Sequence, residues 1–195
     1  MTEKLFRLFL TVLISINISS CIVENDIDIT KYPIITSVKE LSEFYNISLD
    51  ATGKYENSLI STYFDGSRQL TYSYEDLEGR DGIPLFYDIT IDLETSLKDA
   101  ALTYSMSKGA FKLGGSLASK TFIEIDNLYF GENFNESFYA YQTIDRDTTG
   151  IVFITRKGKN IFSLVVDGLY DTSHSMISDL IIPKIKNLET FKLID

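Results

Sequence analysis

The chain has one cysteine, Cys21, and it stands directly behind an apolar run. With one cysteine no internal disulfide can form, so the fold has to be held by its core alone. The run before it begins with Lys4 and Arg7 and continues from Leu8 to Ile16. A basic start followed by an apolar stretch of this length is the pattern of a secretory signal. A membrane-spanning helix needs roughly 20 consecutive, mainly apolar residues. Polar Asn17, Ser19 and Ser20 interrupt the run too early for that. Residues 1–20 therefore read as a removable export signal. No later apolar run is long enough to span a bilayer.

The junction Ile18-Ser19-Ser20-Cys21 resembles the lipobox of bacterial lipoproteins, where an aliphatic residue and two small residues precede the cysteine that is cleaved at and lipidated. The resemblance implies acyl chains, palmitate among them, on Cys21. It also accounts for a lone thiol in an exported protein, which would otherwise be open to oxidation. Each buried methylene contributes about 0.8 kcal/mol, so two or more chains anchor stably. Ile22 rather than Asp follows the cysteine, which in enterobacteria-like sorting favours the outer membrane facing the periplasm. The expected location is the bacterial cell envelope.

The formal charge is −10. Removing Glu3, Lys4 and Arg7 with the signal makes the rest one unit more acidic. Such a surface disfavours nucleic acid, whose phosphates need Lys and Arg. It suits a basic protein partner and equally serves solubility. The 44% hydrophobic content, with 13 Phe and 12 Tyr, excludes a disordered chain.

The domain plan follows from patterning. Residues 21–46 read as a lipid-anchored tether containing a short helix, and residues 47–195 as a single domain. Ser37 and Glu40 have the spacing of a capping box, with Val38, Leu41 and Phe44 or Tyr45 on one face, predicting a helix over about 37–46. Ser58–Phe64 and Arg68–Tyr74 flank Asp65-Gly66, a strong hairpin signal. A loop is expected at Gly79–Gly82. Tyr87, Ile89, Ile91 and Leu93 alternate with Asp88, Thr90 and Asp92, which predicts a strand with one polar face. Leu97, Ala100, Ala101, Tyr104 and Phe111 form a helical stripe, expected to stop at Gly114-Gly115. Strands follow at Thr121–Ile125, Phe138–Ile144, Gly150–Thr155 and Ile161–Val166, with turns at Asp126-Asn127 and over Lys157–Asn160. A last helix begins after Asp171 or Thr172, both good capping types. Pro183 should kink or split it. An extended tail or short strand closes the chain from Thr190. Strands, a helix, more strands and a helix give an α+β fold on a largely antiparallel sheet flanked by helices.

The hairpin Ile151–Val166, the turn into Asp171–His174, the helix Met176–Ile185 and the ending Ile185–Leu193 resemble the PsbP-like fold, which includes exported lipoproteins of the DcrB group. The likeness covers roughly residues 47–195. It implies an α/β/α sandwich, no shared catalytic residues, and a role in binding or assembly.

No catalytic or metal constellation emerges, and no cofactor is expected. His174 is the only histidine, and its Ser/Thr setting suits a helix start. Asp88, Asp92 and Glu94 share one strand face. Paired carboxylates serve Ca²⁺ or acid–base chemistry, but here they more simply mark the solvent side. Tyr72, Tyr74, Phe138, Tyr139 and Tyr141 either line a partner-binding groove or fill a sheet–helix core. The expectation is a non-enzymatic, membrane-anchored accessory protein with a protein partner. Two alternatives stand beside it: an immunity-type protein neutralising a basic toxin, and a binder of a small hydrophobic ligand between sheet and helix.

Overall fold

The computed structural model describes residues 21–80, 83–117, 120–125 and 133–194. The expected signal 1–20 and the turn Asp126-Asn127 lie outside the described residues. Among the described residues an eight-stranded sheet has the order β1-β2-β3-β4-β8-β7-β6-β5. The strands are β1 Cys21–Asp26, β2 Glu56–Tyr63, β3 Arg68–Arg80, β4 Ile83–Leu93, β5 Thr121–Glu124, β6 Glu136–Ile144, β7 Asp147–Lys157 and β8 Asn160–Asp167. Every neighbouring pair is antiparallel. Two four-stranded meanders thus meet at β4 and β8. The crossover between them contains the long helix α2, Leu97–Leu117.

Helices cover the sheet unequally, and the strand sequences explain why. In β7 and β8 apolar residues run without alternation, and both faces are buried. Phe153, Phe162, Leu164 and Val166 join the main core. Val152, Ile154 and Ile161 join a second cluster with Phe138, Ala140, Ala100 and Tyr104. That second cluster lies under α2, which packs on β5, β7 and β8. Strands buried on both faces need apolar residues at every position. In β3 and β4 only alternate residues are buried: Leu70, Tyr72, Tyr74, Tyr87, Ile89 and Ile91 face the main core. The result is an α+β sandwich with helices on both faces.

The main core is closed by the N-terminal segment, a short helix α1 (Val38–Tyr45) and the C-terminal helical stretch. Ser37 and Glu40 form the capping box, with Glu40 N–H donating to Ser37 Oγ at 3.3 Å and Ser37 N–H donating to Glu40 Oε2 at 2.8 Å. Asn46 ends the helix at φ 51. At the other end of the chain, Met176–Ile181 forms a π-helical turn that continues into α3, Ile182–Ile185. Pro183 carries no amide hydrogen, and Ile182 N–H reaches back to Ile177 O, five residues earlier. The expected split at Pro183 takes this form.

Three expectations change. Residues 21–46 are not a tether: β1 pairs with β2, and Tyr32, Ile34, Ile35, Val38 and Leu41 are buried in the main core. Tyr32, Ile34 and Ile35 follow no helix or strand period, because an irregular segment lays them against the sheet. The helix α2 does not stop at Gly114-Gly115 but runs to Leu117; a glycine in a helix costs only about 1 kcal/mol. Gly79 lies within β3 rather than in a loop.

One core detail is testable. The Tyr72 hydroxyl accepts from Val38 N–H at 2.8 Å and donates to Glu56. The buried Tyr87 hydroxyl faces the buried Thr36 hydroxyl without a well-formed hydrogen bond among the described residues. An unpaired buried hydroxyl costs about 1–3 kcal/mol. Tyr87→Phe is expected to leave stability unchanged or raise it by up to about 1 kcal/mol, whereas Tyr72→Phe lowers it by about 1–2 kcal/mol. Urea unfolding midpoints of the two variants check this.

Candidate functional site

Cys21 opens β1 and lies in register with Tyr63 at the end of β2. The residue expected to carry lipid therefore lies within the sheet. Tyr63 leads into the β2–β3 turn, where Tyr63 O accepts from Gly66 N–H and Ser67 O accepts from Tyr63 N–H, both at 3.0 Å. Asp65 Oδ1 accepts from the Ser67 hydroxyl at 2.6 Å and closes the turn.

The aromatic candidates separate. Tyr72, Tyr74 and Tyr139 are buried in the main core, and Phe138 is buried beneath α2. They pack edge-on, as in Tyr72 against Tyr87 and Tyr139 against Phe153. They are core residues and line no open groove, because alternation along β3 and β6 turns each toward a helix-covered face. Tyr141 is half-buried and belongs to a polar cluster that joins distant parts of the chain.

That cluster centres on Asp171 and His174, in the link between β8 and the C-terminal helical stretch. Asp171 Oδ2 accepts from the Tyr45 hydroxyl at 2.5 Å and from Met176 N–H at 3.2 Å. Its Oδ1 accepts from the Ser173 hydroxyl at 2.7 Å and Ser175 N–H at 3.2 Å. Burial opposes ionisation of Asp171, but these donors outweigh it and hold the carboxyl at about 2. Burial and then the Asp171 hydrogen bond push the Tyr45 phenol well up. His174 adopts φ 62, a left-handed conformation uncommon outside glycine, in which His is enriched among other residues. Its ring stacks on Tyr141 at 5.7 Å and meets Tyr139 edge-on at 5.5 Å. Both tyrosine hydroxyls lie 3.1 Å from His174 Nδ1. Tyr141 donates its proton to Asp171 O at 3.2 Å, so its oxygen is left to accept.

This arrangement ties α1, β6 and the C-terminal segment together. Asp171 is committed to holding a turn and a tyrosine, which is positioning work rather than general-base work. Asp171→Ala strands those donors and is expected to cost about 2 kcal/mol. Asp171→Asn is expected to recover part of that loss, read as thermal midpoints.

The acidic strand face is the second feature. Asp88 and Asp92 lie on the sheet face opposite the main core, as alternation predicted, but both are partly covered. Burial raises both carboxyls to about 6, and hydrogen bonds from Thr90 and Gln69 offset only part of it. Burial also raises Glu94, which accepts from the Thr103 hydroxyl at 2.6 Å. A hollow of about 210 Å³ between this face and α2 is lined by Asp65, Arg68, Gln69, Asp92, Glu94 and Asp99, with other residues. Its lining is polar, which does not suit the hydrophobic ligand expected between sheet and helix. A larger groove of about 390 Å³ lies between Pro33-Ile34 and the Pro183–Phe191 stretch. Among the described residues no group of three or more His, Cys, Asp or Glu side chains is placed to hold a metal ion.

The sequence signalled Asp171 only as a helix-capping type. Its pairing with Tyr45 spans 126 positions, and no local pattern encodes it. No protein-family model matches the chain, and neither a curated protein nor a solved structure matches it. No helix of the described residues is long and apolar enough to cross a membrane.

Proposed function

We propose that this chain is a lipid-anchored lipoprotein of the bacterial envelope that binds a protein partner, as an accessory or assembly factor, and catalyses no reaction. The observation that carries the proposal is Cys21, the only cysteine, placed directly after a basic start, an apolar run and Ile18-Ser19-Ser20. The likeness to PsbP-like domains supports the accessory role, and Ile22 supports an outer-membrane address facing the periplasm. The acidic charge favours a basic partner. A purification of the tagged, lipidated protein from detergent-solubilised envelope tests the binding role. One stoichiometric protein is expected. Recovery of none, from envelopes in which the tagged protein is abundant, contradicts the role.

The same charge favours a second reading, an immunity-type protein that neutralises a basic secreted toxin. If the recovered partner is a small basic protein that is toxic when expressed without this chain, the second reading replaces the first.

A further inference from the structure

We infer that the end of the sheet bearing Cys21 is a membrane-contact face, resting on a phospholipid bilayer with Phe64 and Leu97 at the headgroup level. The inference rests on the anchored reading of Cys21 and goes beyond it by fixing which way the domain faces. An anchor on a flexible tether would leave the domain free to turn. Here Cys21 already lies in β1 and is in register with Tyr63 of β2. No slack separates acyl chains on Cys21 from the sheet.

The side chains at this end fit a bilayer surface. Phe64 follows Tyr63, the register partner of Cys21, and is 74% exposed at the tip of the β2–β3 turn. Leu97, in the first turn of α2, is 60% exposed. The two segments are adjacent, since a Cβ on Gly66 would lie 3.7 Å from Thr95 Cγ2. Large apolar side chains at an interface bury their surface among headgroups and upper acyl chains. Exposed Lys98 and Lys159 stand at the same end, and Lys159 Nζ donates to Thr95 O at 2.6 Å. Lysines there meet phosphate oxygens. Asp65, Asp99 and Glu94 also stand at this end and accept from the hydroxyls of Ser67, Ser96 and Thr103, which leaves their charge in place, so the apolar side chains and not the charge carry the contact.

The opposite end of β3 provides the comparison. Leu77 is also 52% exposed, but Glu75, Asp76 and Glu78 surround it in sequence, and acidic side chains are repelled by anionic lipid. The strand between Arg68 and Leu77 spans about 30 Å at about 3.3 Å per residue.

The absence of tryptophan from the sequence makes the test direct. Phe64→Trp and Leu77→Trp each place one tryptophan in the lipidated chain. Each variant is reconstituted into phosphatidylethanolamine–phosphatidylglycerol vesicles with and without brominated acyl chains. Emission from the Phe64→Trp variant is expected to shift to the blue and to be quenched by the brominated lipid at least about twofold, as for an interfacial aromatic residue. Emission from the Leu77→Trp variant is expected to be unchanged. Unquenched emission from Phe64→Trp protein that floats with the vesicles overturns the orientation and leaves the anchor standing. Equal quenching in both variants overturns it too. Lipid-free chain that fails to float overturns the anchored reading, and the orientation with it.

Discussion

Gly150→Ala is expected to destabilise the fold by about 3 kcal/mol or more, among the largest effects of any single methyl group here. Gly150 sits in β7 opposite Asp167 of β8. A Cβ there would lie 2.0 Å from Val166 O and 2.9 Å from Asp167 Cα. Both contacts are with backbone, so no rotamer change relieves them. The carbonyl cannot move aside cheaply, because Val166 O accepts from Gln142 Nε2 at 3.1 Å and Val166 itself pairs with Tyr87 in the next strand. The substitution must part β7 from β8, one strand from the β4–β8 joint of the two meanders. Gly168 stands beside it at φ 86, its N–H donating to Thr149 O at 2.7 Å, so the neighbouring residue cannot absorb the shift. Gly109→Ala is the matched control. It lies within α2 and its Cβ would meet open space, so alanine should stabilise by about 1 kcal/mol. Urea unfolding of the two variants reads both effects.

The second large effect is a dependence on pH. Asp88 and Asp92 have carboxyls raised by burial to about 6 in the folded chain. In the unfolded chain they return to about 3.9. Between these values the folded state binds more protons than the unfolded state, so stability falls as pH rises from about 4 to about 6. Each carboxylate contributes on the order of 2 kcal/mol to the change at about 1.4 kcal/mol per unit. The expected result is a chain several kcal/mol more stable at pH 4.5 than at pH 7. Asp171 works in the opposite sense, but its loss of stability comes only as pH falls below about 4 toward 2. The double variant Asp88→Asn with Asp92→Asn should raise stability at pH 7 and flatten the profile between pH 4 and 6. A wild-type profile that is flat over that range contradicts the burial of these groups.

The features legible in the sequence were those written over a few residues. The capping box at Ser37 and Glu40, the Asp65-Gly66 turn and the alternation of Tyr87 to Leu93 each have a local physical cause, and each took the form expected. The contrast between alternating β4 and continuously apolar β7 and β8, not drawn from the sequence above, accounts for the layering, because only the second needs cover on both faces. The misread features depend on distance. Tyr32, Ile34 and Ile35 follow no period, and only a sheet already formed gives them a place to bury. Leu97 fits the apolar stripe of α2 by spacing, yet it is exposed in the first turn of the helix. The tyrosines of β3 and β6 read as groove or core, and only the covered face decides between them. The link between Tyr45 and Asp171 was beyond any local pattern.

Acylation at Cys21 is the claim on which the functional account stands, and it can be measured in one experiment. Cells producing the wild-type chain or Cys21→Ser are fed a clickable palmitate analogue, and membrane and soluble fractions are compared. The account predicts label on the wild-type protein in the membrane fraction, and neither label nor membrane retention for the variant. Membrane association that persists unchanged in Cys21→Ser would contradict it.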